Sequence, residues 1–335
     1  MALGFSRRNI GRLVLLAWAV ALAWLARREL NKEGSTVVAE RTARLTPAAQ
    51  YLAVYAGSRQ IGQLNFTVDT TVDGVKLSEQ FILDLPDGDS TRQLAQGTEY
   101  FLSRALRIRA FTRVTFGVGP QDRIDATMGP DSILGLRSSE GPGTQTGTIR
   151  WRVDPDAALP AMVPLRAAFG GHLRVGETFV LPLVRVGEGG TRSLEVRVTA
   201  DSMFAVADSA VWDSVAARWA PVKTDSVHAW RLEHDAAGAP TVSWVDRNGS
   251  LLLEETAGGL RLVRSPFEVV HNNYRRARAA EPSSWRRAIP GMTALIASGR
   301  APDTTAKVHG FLIGEDSAAL ARGLPGRVEG GRQHR

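Results

Sequence analysis

The chain has 335 residues, 44% of them hydrophobic, and no cysteine. This length and composition suit one large globular domain or two modest ones and exclude disordered and collagen-like proteins. The lack of cysteine excludes disulfides, thiolate zinc sites, cysteine nucleophiles and lipid attachment at a cysteine. The formal net charge is +7, and the basic residues are spread along the chain. The charge therefore permits contact with anionic surfaces without identifying one.

The N-terminal segment contains an apolar run between arginines. Residues Leu13–Ala26 carry no charge, and arginines lie on both sides of them. This run is shorter than the roughly 20 residues that cross a bilayer, but flanking arginines and tryptophans extend such segments toward the interfaces. We interpret residues 1–35 as a membrane anchor or signal segment of a bacterial protein. An uncleaved, single-pass inner-membrane anchor with the bulk of the chain in the periplasm is favoured over a cleaved signal and a secreted protein.

The remainder shows alternating hydrophobicity with a period close to two, which is typical of half-buried antiparallel strands. In "VKLSEQFILDL", the apolar face is interrupted only by Glu79. In "ALRIRAFTRVTF", we predict that Leu106, Ile108, Val114 and Phe116 share one face. Arg107, Arg109 and Arg113 are then predicted on the other. Similar alternation around Trp151, Trp230 and Leu194 extends the pattern along the chain.

Turn residues and element lengths predict the architecture. Asp73-Gly74 and Asn248-Gly249 are preferred centres of two-residue hairpin turns. Residues 156–171 predict a short helix or crossover, and residues 206–221 are ambiguous. We predict a mainly β domain over residues 45–280, built on a large twisted antiparallel sheet of ten to twelve strands in a half-barrel or open barrel. Residues 281–335 are predicted to form a C-terminal extension with one or two further strands.

Residue types with chemical potential do not form a recognisable catalytic motif. The histidines are dispersed, so the sequence predicts no metal site and no cofactor. The fragment Asp246-x-Asn248-Gly249 lacks the further carboxylates of a calcium loop and is interpreted as a turn. Glu254 and Glu255 are neighbours on a strand and point to opposite faces, which weakens them as an acid–base pair. The sequence predicts no catalytic residue and favours a non-enzymatic protein.

An arginine-rich segment near the end of the β domain could suggest nucleic-acid binding. Residues 272–287 interleave Tyr274 and Trp285 with five arginines. A solvated boundary segment of an arginine-rich protein explains the same residues. Because the N-terminal segment indicates export, we expect no nucleic-acid partner.

Two stretches resemble a known family. Residues 51–86 carry Tyr55, Gly57 and Ile61-Gly62 ahead of a hairpin, and residues 244–268 form a second hairpin, followed by Ala288–Pro290. They resemble the β-rich domain that precedes the catalytic core in bacterial exported transglutaminase-like proteins. That core needs a cysteine, so the resemblance implies an accessory domain without its enzyme. The pattern is also broadly similar to the half-barrels of periplasmic lipoprotein carriers, whose concave face holds acyl chains.

These observations predict a membrane-anchored, extracytoplasmic protein that binds a lipid or other hydrophobic ligand, or a partner protein, near the membrane. A filled core would produce the same pattern as an apolar binding face. An accessory subunit of a separately encoded transglutaminase-like enzyme or peptidase is one alternative, and a hydrolase with a site assembled from distant residues is another. The predicted ligand-binding face consists of Leu106, Ile108, Val114, Phe116, Trp151, Trp230 and Trp244.

Overall fold

A computed structural model describes Trp18, Leu22 and residues 34–87, 90–117, 121–129, 132–140, 145–184, 190–236, 240–257 and 259–280. Most of the predicted anchor and the whole of the predicted C-terminal extension lie outside these residues. Among the helices in the described part, none has the length and apolar character needed to span a membrane.

The described chain is mainly β, with fourteen strands in one antiparallel sheet. The strands are β1 (Ala48–Ala56), β2 (Arg59–Thr71), β3 (Gly74–Asp87), β4 (Ser90–Ser103), β5 (Ile108–Phe116), β6 (Gln121–Met128), β7 (Ser132–Glu140), β8 (Gln145–Arg152), β9 (Thr178–Val184), β10 (Thr191–Asp213), β11 (Arg218–His234), β12 (Thr241–Asp246), β13 (Leu251–Thr256) and β14 (Leu260–Arg264). The mainly β class and the large antiparallel sheet confirm the coarse prediction, and the strand number exceeds it.

The sheet consists of two meanders, which are joined by the pairing of β1 with β14. Strands β1 to β8 pair in chain order, strands β9 to β14 do the same, and β1 pairs with β14. The open edges are therefore β8 and β9. Near these edges, Ala158 forms a parallel bridge to Leu183 of β9, so the chain leaving β8 reaches the opposite edge. Sheets of this size curl, because each strand is twisted relative to its neighbour.

Short helices complete the fold. They are α1 (Gly34–Thr42), a 3-10 turn (Pro160–Met162), α2 (Val163–Gly170), a π-helical turn (Glu268–Asn272) and α3 (Asn273–Ala280). Proline at the start of the 3-10 turn and again in the first turn of α2 suits helix N-termini, and Gly171 ends α2 with a left-handed φ of 82°. This confirms the short helix predicted for residues 156–171.

Helix α2 lies against the concave side of the sheet. Leu165 and Phe169 pack with buried residues of β2 to β7, whereas Val163 and Ala167 pack with β9 to β12. One helix thus contacts both halves of the sheet, and the sheet must curve around it. The inward residues Leu194, Val196 and Val198 of β10 are almost completely buried, as the alternation predicted.

A bulge in β5 overturns part of the predicted face. Ala110 lies opposite Phe101 while Ile108 lies opposite Leu102, so Arg109 is an extra residue in this strand. An extra residue reverses which face the following side chains occupy. Phe111 and Arg113 are therefore buried, whereas Val114 and Phe116 lie on the outer face, and Phe116 is 44% exposed. The prediction that Val114 and Phe116 share a face with Ile108 is wrong.

Both predicted hairpin turns occur at the expected places with a different geometry. Thr71 pairs with Gly74, so the two turn residues are Val72 and Asp73. Gly74 is the first residue of β3, where a Cβ atom would come within 1.9 Å of the carbonyl oxygen of Leu102. Close backbone approach, and not positive φ, explains this glycine.

The second hairpin has a three-residue loop. The N–H of Asp246 donates to the carbonyl of Ser250, and Gly249 adopts a left-handed φ of 74°. The Asp246 carboxylate accepts the N–H groups of Asn248 and Ser250, both at 2.8 Å. Trp244 faces Leu253, and Val245 pairs with Leu251 because a bulge follows Trp244. Asp246 is thus a turn-stabilising residue, as its position predicted.

The ambiguous residues 206–221 belong to a long hairpin arm formed by β10 and β11, whose strands remain paired through Asp213 and Arg218. The arm lies against the last two helical elements. Asn273 at the start of α3 accepts the N–H of Trp219 and donates to its carbonyl, and the Arg276 guanidinium lies over the Trp212 ring at 4.3 Å. These contacts hold α3 beside the arm.

Candidate functional site: a cavity on the concave face of the sheet

A cavity of about 130 Å³ lies between the inner face of the sheet and the segment that leads into α2. Its apolar wall is formed by Leu52, Leu64, Phe66, Phe81, Leu159, Val163, Leu251 and Leu262. Its polar wall is formed by Gln50, Glu79, Gln96, Thr98, Tyr100, Arg113, His234 and Glu254. One water molecule needs roughly 10–15 Å³ of such space, so the cavity has room for several waters or a small organic molecule.

Strand register explains why polar groups gather on one wall. Glu79 of β3 lies directly opposite Thr98 of β4, which lies directly opposite Arg113 of β5. Directly paired residues of an antiparallel sheet project from the same face. These three side chains therefore form a polar row across β3, β4 and β5 on the inner face of the sheet.

Glu79 is held by a tyrosine of the neighbouring strand β4. The Tyr100 hydroxyl donates to Oε2 of Glu79 at 3.0 Å. Burial raises the pKa of Glu79 to about 7, because removing a carboxylate from water disfavours its charged form, and the Tyr100 hydrogen bond opposes that effect. A carboxyl group in this position changes charge near neutral pH.

Glu254 projects into the same cavity from β13. The Ser243 hydroxyl of the neighbouring strand β12 donates to Oε2 of Glu254 at 2.6 Å. Burial raises the pKa of Glu254 to about 7, the Ser243 hydrogen bond opposes the rise, and repulsion from Glu79 adds to it. The curvature of the sheet therefore brings together two carboxyl groups that are distant in sequence.

His234 completes a hydrogen-bonded chain behind Glu254. Its Nδ1 accepts the N–H of Ala236 at 3.3 Å, and its Nε2 lies 3.3 Å from the Ser243 hydroxyl oxygen. Nδ1 is thus the acceptor, so Nε2 carries the proton and donates to Ser243, which in turn donates to Glu254. Burial lowers the pKa of His234 to about 4, so the ring is neutral near physiological pH.

This chain of three residues has the composition of a serine hydrolase triad but not its polarity. In such a triad the serine donates its proton to the histidine, which acts as the base. Here Ser243 donates to Glu254 and is completely buried, so its hydroxyl is neither activated by His234 nor accessible from the cavity. The arrangement fixes the Glu254 carboxyl in place.

Arg113 is the cationic residue of the cavity wall. Both Arg113 and Asp122 are buried, and Nη2 of Arg113 lies 3.9 Å from Oδ2 of Asp122. Arg137 binds both oxygens of Asp122, at 2.8 and 3.2 Å. The Asp122 carboxylate thus lies between two guanidinium groups and is the acidic partner nearest to the buried Arg113.

Gln96 adds a buried acceptor to the polar wall. The residue is 6% exposed, and its Nε2 donates to the Thr98 hydroxyl at 3.4 Å. Its Oε1 is buried and accepts no hydrogen bond from any described residue. A buried carbonyl oxygen without a donor costs roughly 1–3 kcal/mol, so this atom favours a donor within the cavity.

The seven residues predicted as a ligand-binding face lie elsewhere. Leu106 and Ile108 are buried in the main core, and Trp151 packs on it. Trp230 packs on the core around α2. Trp244 contacts Phe204, with ring centroids 4.8 Å apart, and its side chain lies on the other face of β12 from Ser243. Val114 and Phe116 are on the outer face. None of these seven residues is among the described residues that line the cavity.

The sequence contained a signal for the polar wall. Glu79 interrupts an apolar alternation at an inward position, between the buried residues Leu77 and Phe81. Such interruptions of an inward face mark buried polar groups that need partners. Glu254 carries no such mark, because a bulge places Leu252 in the apolar cluster with Trp244 on the opposite face. Arg113 could not be found in this way, because the β5 bulge that turns it inward leaves no mark in the pattern.

The cavity does not offer a clustered metal site. Within the described ranges, no three acidic or histidine side chains converge as they would around a metal ion. Glu79 and Glu254 are instead individually bound by hydroxyl groups. The site provides two carboxyls, a paired guanidinium and an amide oxygen around an apolar space.

Comparison with known proteins finds little sequence likeness. No family model and no curated protein matches the chain. Among solved structures, the chain is similar to a β-barrel-like protein of the domain of unknown function DUF1849 from Brucella abortus, with 13% identity and a TM-score of 0.41. The match covers 67% of this chain and 97% of that one.

Proposed function

We propose that this protein binds a small amphipathic molecule in the cavity on the concave face of its sheet. The observation that carries the proposal is the pairing of an apolar wall, which includes Leu64 and Phe81, with a polar wall that includes Glu79 and Gln96. Ligand sites in proteins are concave, mostly apolar and equipped with a few polar groups that orient the ligand. The proposed role is non-enzymatic binding.

The proposed location is the periplasmic side of a bacterial inner membrane. The arginine-flanked apolar run Leu13–Ala26 supports an anchor there. A binding domain tethered next to a membrane would meet lipids and other hydrophobic molecules at high local concentration.

Extraction of the protein tests the binding proposal. We expect the full chain, purified from its membrane fraction, to release a small hydrophobic or amphipathic molecule on solvent extraction, detected by mass spectrometry. It should also retain an apolar fluorescent dye. Ala161→Phe would fill the cavity, because Ala161 lines it, and should abolish both signals. The exposed substitution Ala216→Phe is the matched control. Absence of extracted ligand together with no dye retention would end the proposal.

A second candidate is an accessory subunit of a separately encoded transglutaminase-like or peptidase enzyme. The two stretches that resemble such accessory domains form β1–β3 and β12–β14, which become neighbours through the β1–β14 pair. One continuous surface could therefore serve a partner. Cross-linking in the native membrane should then yield a transglutaminase-like enzyme with a cysteine, histidine and aspartate core, or a peptidase. Cross-links to other classes of protein alone would contradict this candidate.

A further inference from the structure

The polar wall of the cavity presents three hydrogen-bond acceptors to a ligand. Tyr100 donates to one oxygen of Glu79 and Ser243 donates to one oxygen of Glu254, so each carboxyl keeps a second oxygen for other partners. Gln96 Oε1 is a further acceptor, 6% exposed as a residue, that takes no hydrogen bond from the described chain. A ligand that donates hydrogen bonds would complement these three oxygens, and Gln50 and Arg113 add donor groups to the same wall.

The charged residues of the wall also favour a ligand that carries a positive charge. Glu79 and Glu254 both project into the cavity, where each lacks a cationic side chain in direct contact among the described residues. Arg113 is oriented toward Asp122, which is also bound by Arg137. The wall therefore carries two carboxyls that a cation would stabilise and one guanidinium that shares the Asp122 carboxylate with Arg137.

We propose that the ligand of this cavity is an organic ammonium ion, with its charged group between Glu79 and Glu254 and its apolar body against Phe66, Phe81 and Leu262. An ammonium donates up to three hydrogen bonds, which matches the two carboxyls and Gln96 Oε1. Burial of opposite charges in hydrogen-bonding geometry makes such contacts stronger than neutral ones. This inference rests on the proposed function, because it assigns the ligand class for the same cavity.

The raised pKa of each glutamate agrees with the assignment. Burial without a cationic partner raises the pKa of Glu79 and that of Glu254 to about 7, and a bound ammonium would lower both. Binding is therefore best measured at mildly alkaline pH, where both carboxyls are ionised before the ligand arrives.

Three probes of similar size and different charge test the proposal. Isothermal titration calorimetry of the full chain at about pH 8 compares benzylamine, a cation at that pH, with neutral benzyl alcohol and anionic benzoate. We expect benzylamine to bind at least about tenfold more tightly than benzyl alcohol, as one or more charge-assisted hydrogen bonds would provide. Equal affinity for benzyl alcohol, or tighter binding of benzoate, would overturn the ligand class and leave the cavity as a binding site.

Substitutions of single glutamates test where the ammonium group binds. Glu79→Gln or Glu254→Gln keeps the side-chain shape and should weaken benzylamine binding about tenfold or more, with little change for benzyl alcohol. Glu255→Gln is the matched control, because Glu255 adjoins Glu254 on β13 but is exposed on the opposite face. An equal loss in Glu255→Gln, or no loss in the cavity variants, would contradict the proposed position. If neither benzylamine nor benzyl alcohol binds and an apolar dye is not retained, the proposed function itself fails.

Discussion

Glu254→Gln should make the folded protein more stable at high pH. In the unfolded chain a glutamate ionises near pH 4.5, whereas burial and repulsion from Glu79 raise the pKa of Glu254 to about 7 in the folded state. Between these values the folded protein holds a proton that the unfolded chain has released. The protonated Glu254 carboxyl therefore makes its full contribution to the free energy of unfolding below about pH 4.5, and this contribution is lost as the pH rises through 7.

The size of this loss follows from the pKa difference. One pKa unit corresponds to about 1.4 kcal/mol, so moving from about 4.5 to about 7 costs on the order of 3 kcal/mol by pH 8. Glutamine cannot ionise and can still accept the Ser243 hydrogen bond. Relative to the wild type, the variant should gain about 3 kcal/mol of unfolding free energy between pH 4.5 and pH 8.

Urea unfolding followed by circular dichroism at several pH values measures this difference. Comparing variant and wild type cancels the contributions of the titrating groups that do not interact with Glu254. Glu255→Gln should leave the pH dependence of stability unchanged, because Glu255 is exposed. Parallel stability curves for Glu254→Gln and wild type would refute the conclusion that Glu254 is buried in an uncompensated state.

Three further predictions concern other parts of the fold. His234→Gln should lessen the loss of stability on acidification from about pH 6.5 to 4, because burial lowers the pKa of His234 to about 4 and the folded state must stay neutral; acid unfolding curves of variant and wild type check this. Phe111→Ala should cost about 3–5 kcal/mol in urea unfolding and Phe116→Ala less than about 1 kcal/mol, and similar costs would contradict the face reversal at the β5 bulge. Gly249→Ala should lower the thermal midpoint by several degrees, because φ is 74° and a Cβ would lie 2.9 Å from Leu165 Cα; an unchanged midpoint would show that this loop does not pack on α2.

The fold class was predictable because the alternation of hydrophobic residues is a direct record of burial on one face of a strand. Leu194, Val196 and Val198 show this, since each was predicted inward and each is buried. The hairpin around Asn248-Gly249 was predictable from turn chemistry, although not its three-residue loop. Turn residues indicate where a chain reverses, and the surrounding packing, here Leu165 of α2 against Gly249, helps to select the loop.

The site was harder to predict because it depends on contacts between strands that are distant in sequence. Counting faces along one strand correctly placed Glu254 and Glu255 on opposite faces. The second carboxyl of the cavity, Glu79, comes from β3, and only the curvature of the whole sheet brings it near Glu254. The bulge at Arg109 likewise reverses the faces of Arg113 and Phe116 without a residue type that marks it. Local patterns record burial, whereas sheet curvature and register arise from the complete fold.

A crystal structure of the full chain grown with benzylamine tests the central claim most directly, because it shows what occupies the cavity. We predict density for the aromatic ring against Phe66 and Phe81, with the ammonium nitrogen within hydrogen-bonding distance of carboxyl oxygens of Glu79 and Glu254. A cavity that contains only ordered water under saturating benzylamine, or benzylamine bound at the surface alone, would contradict the claim.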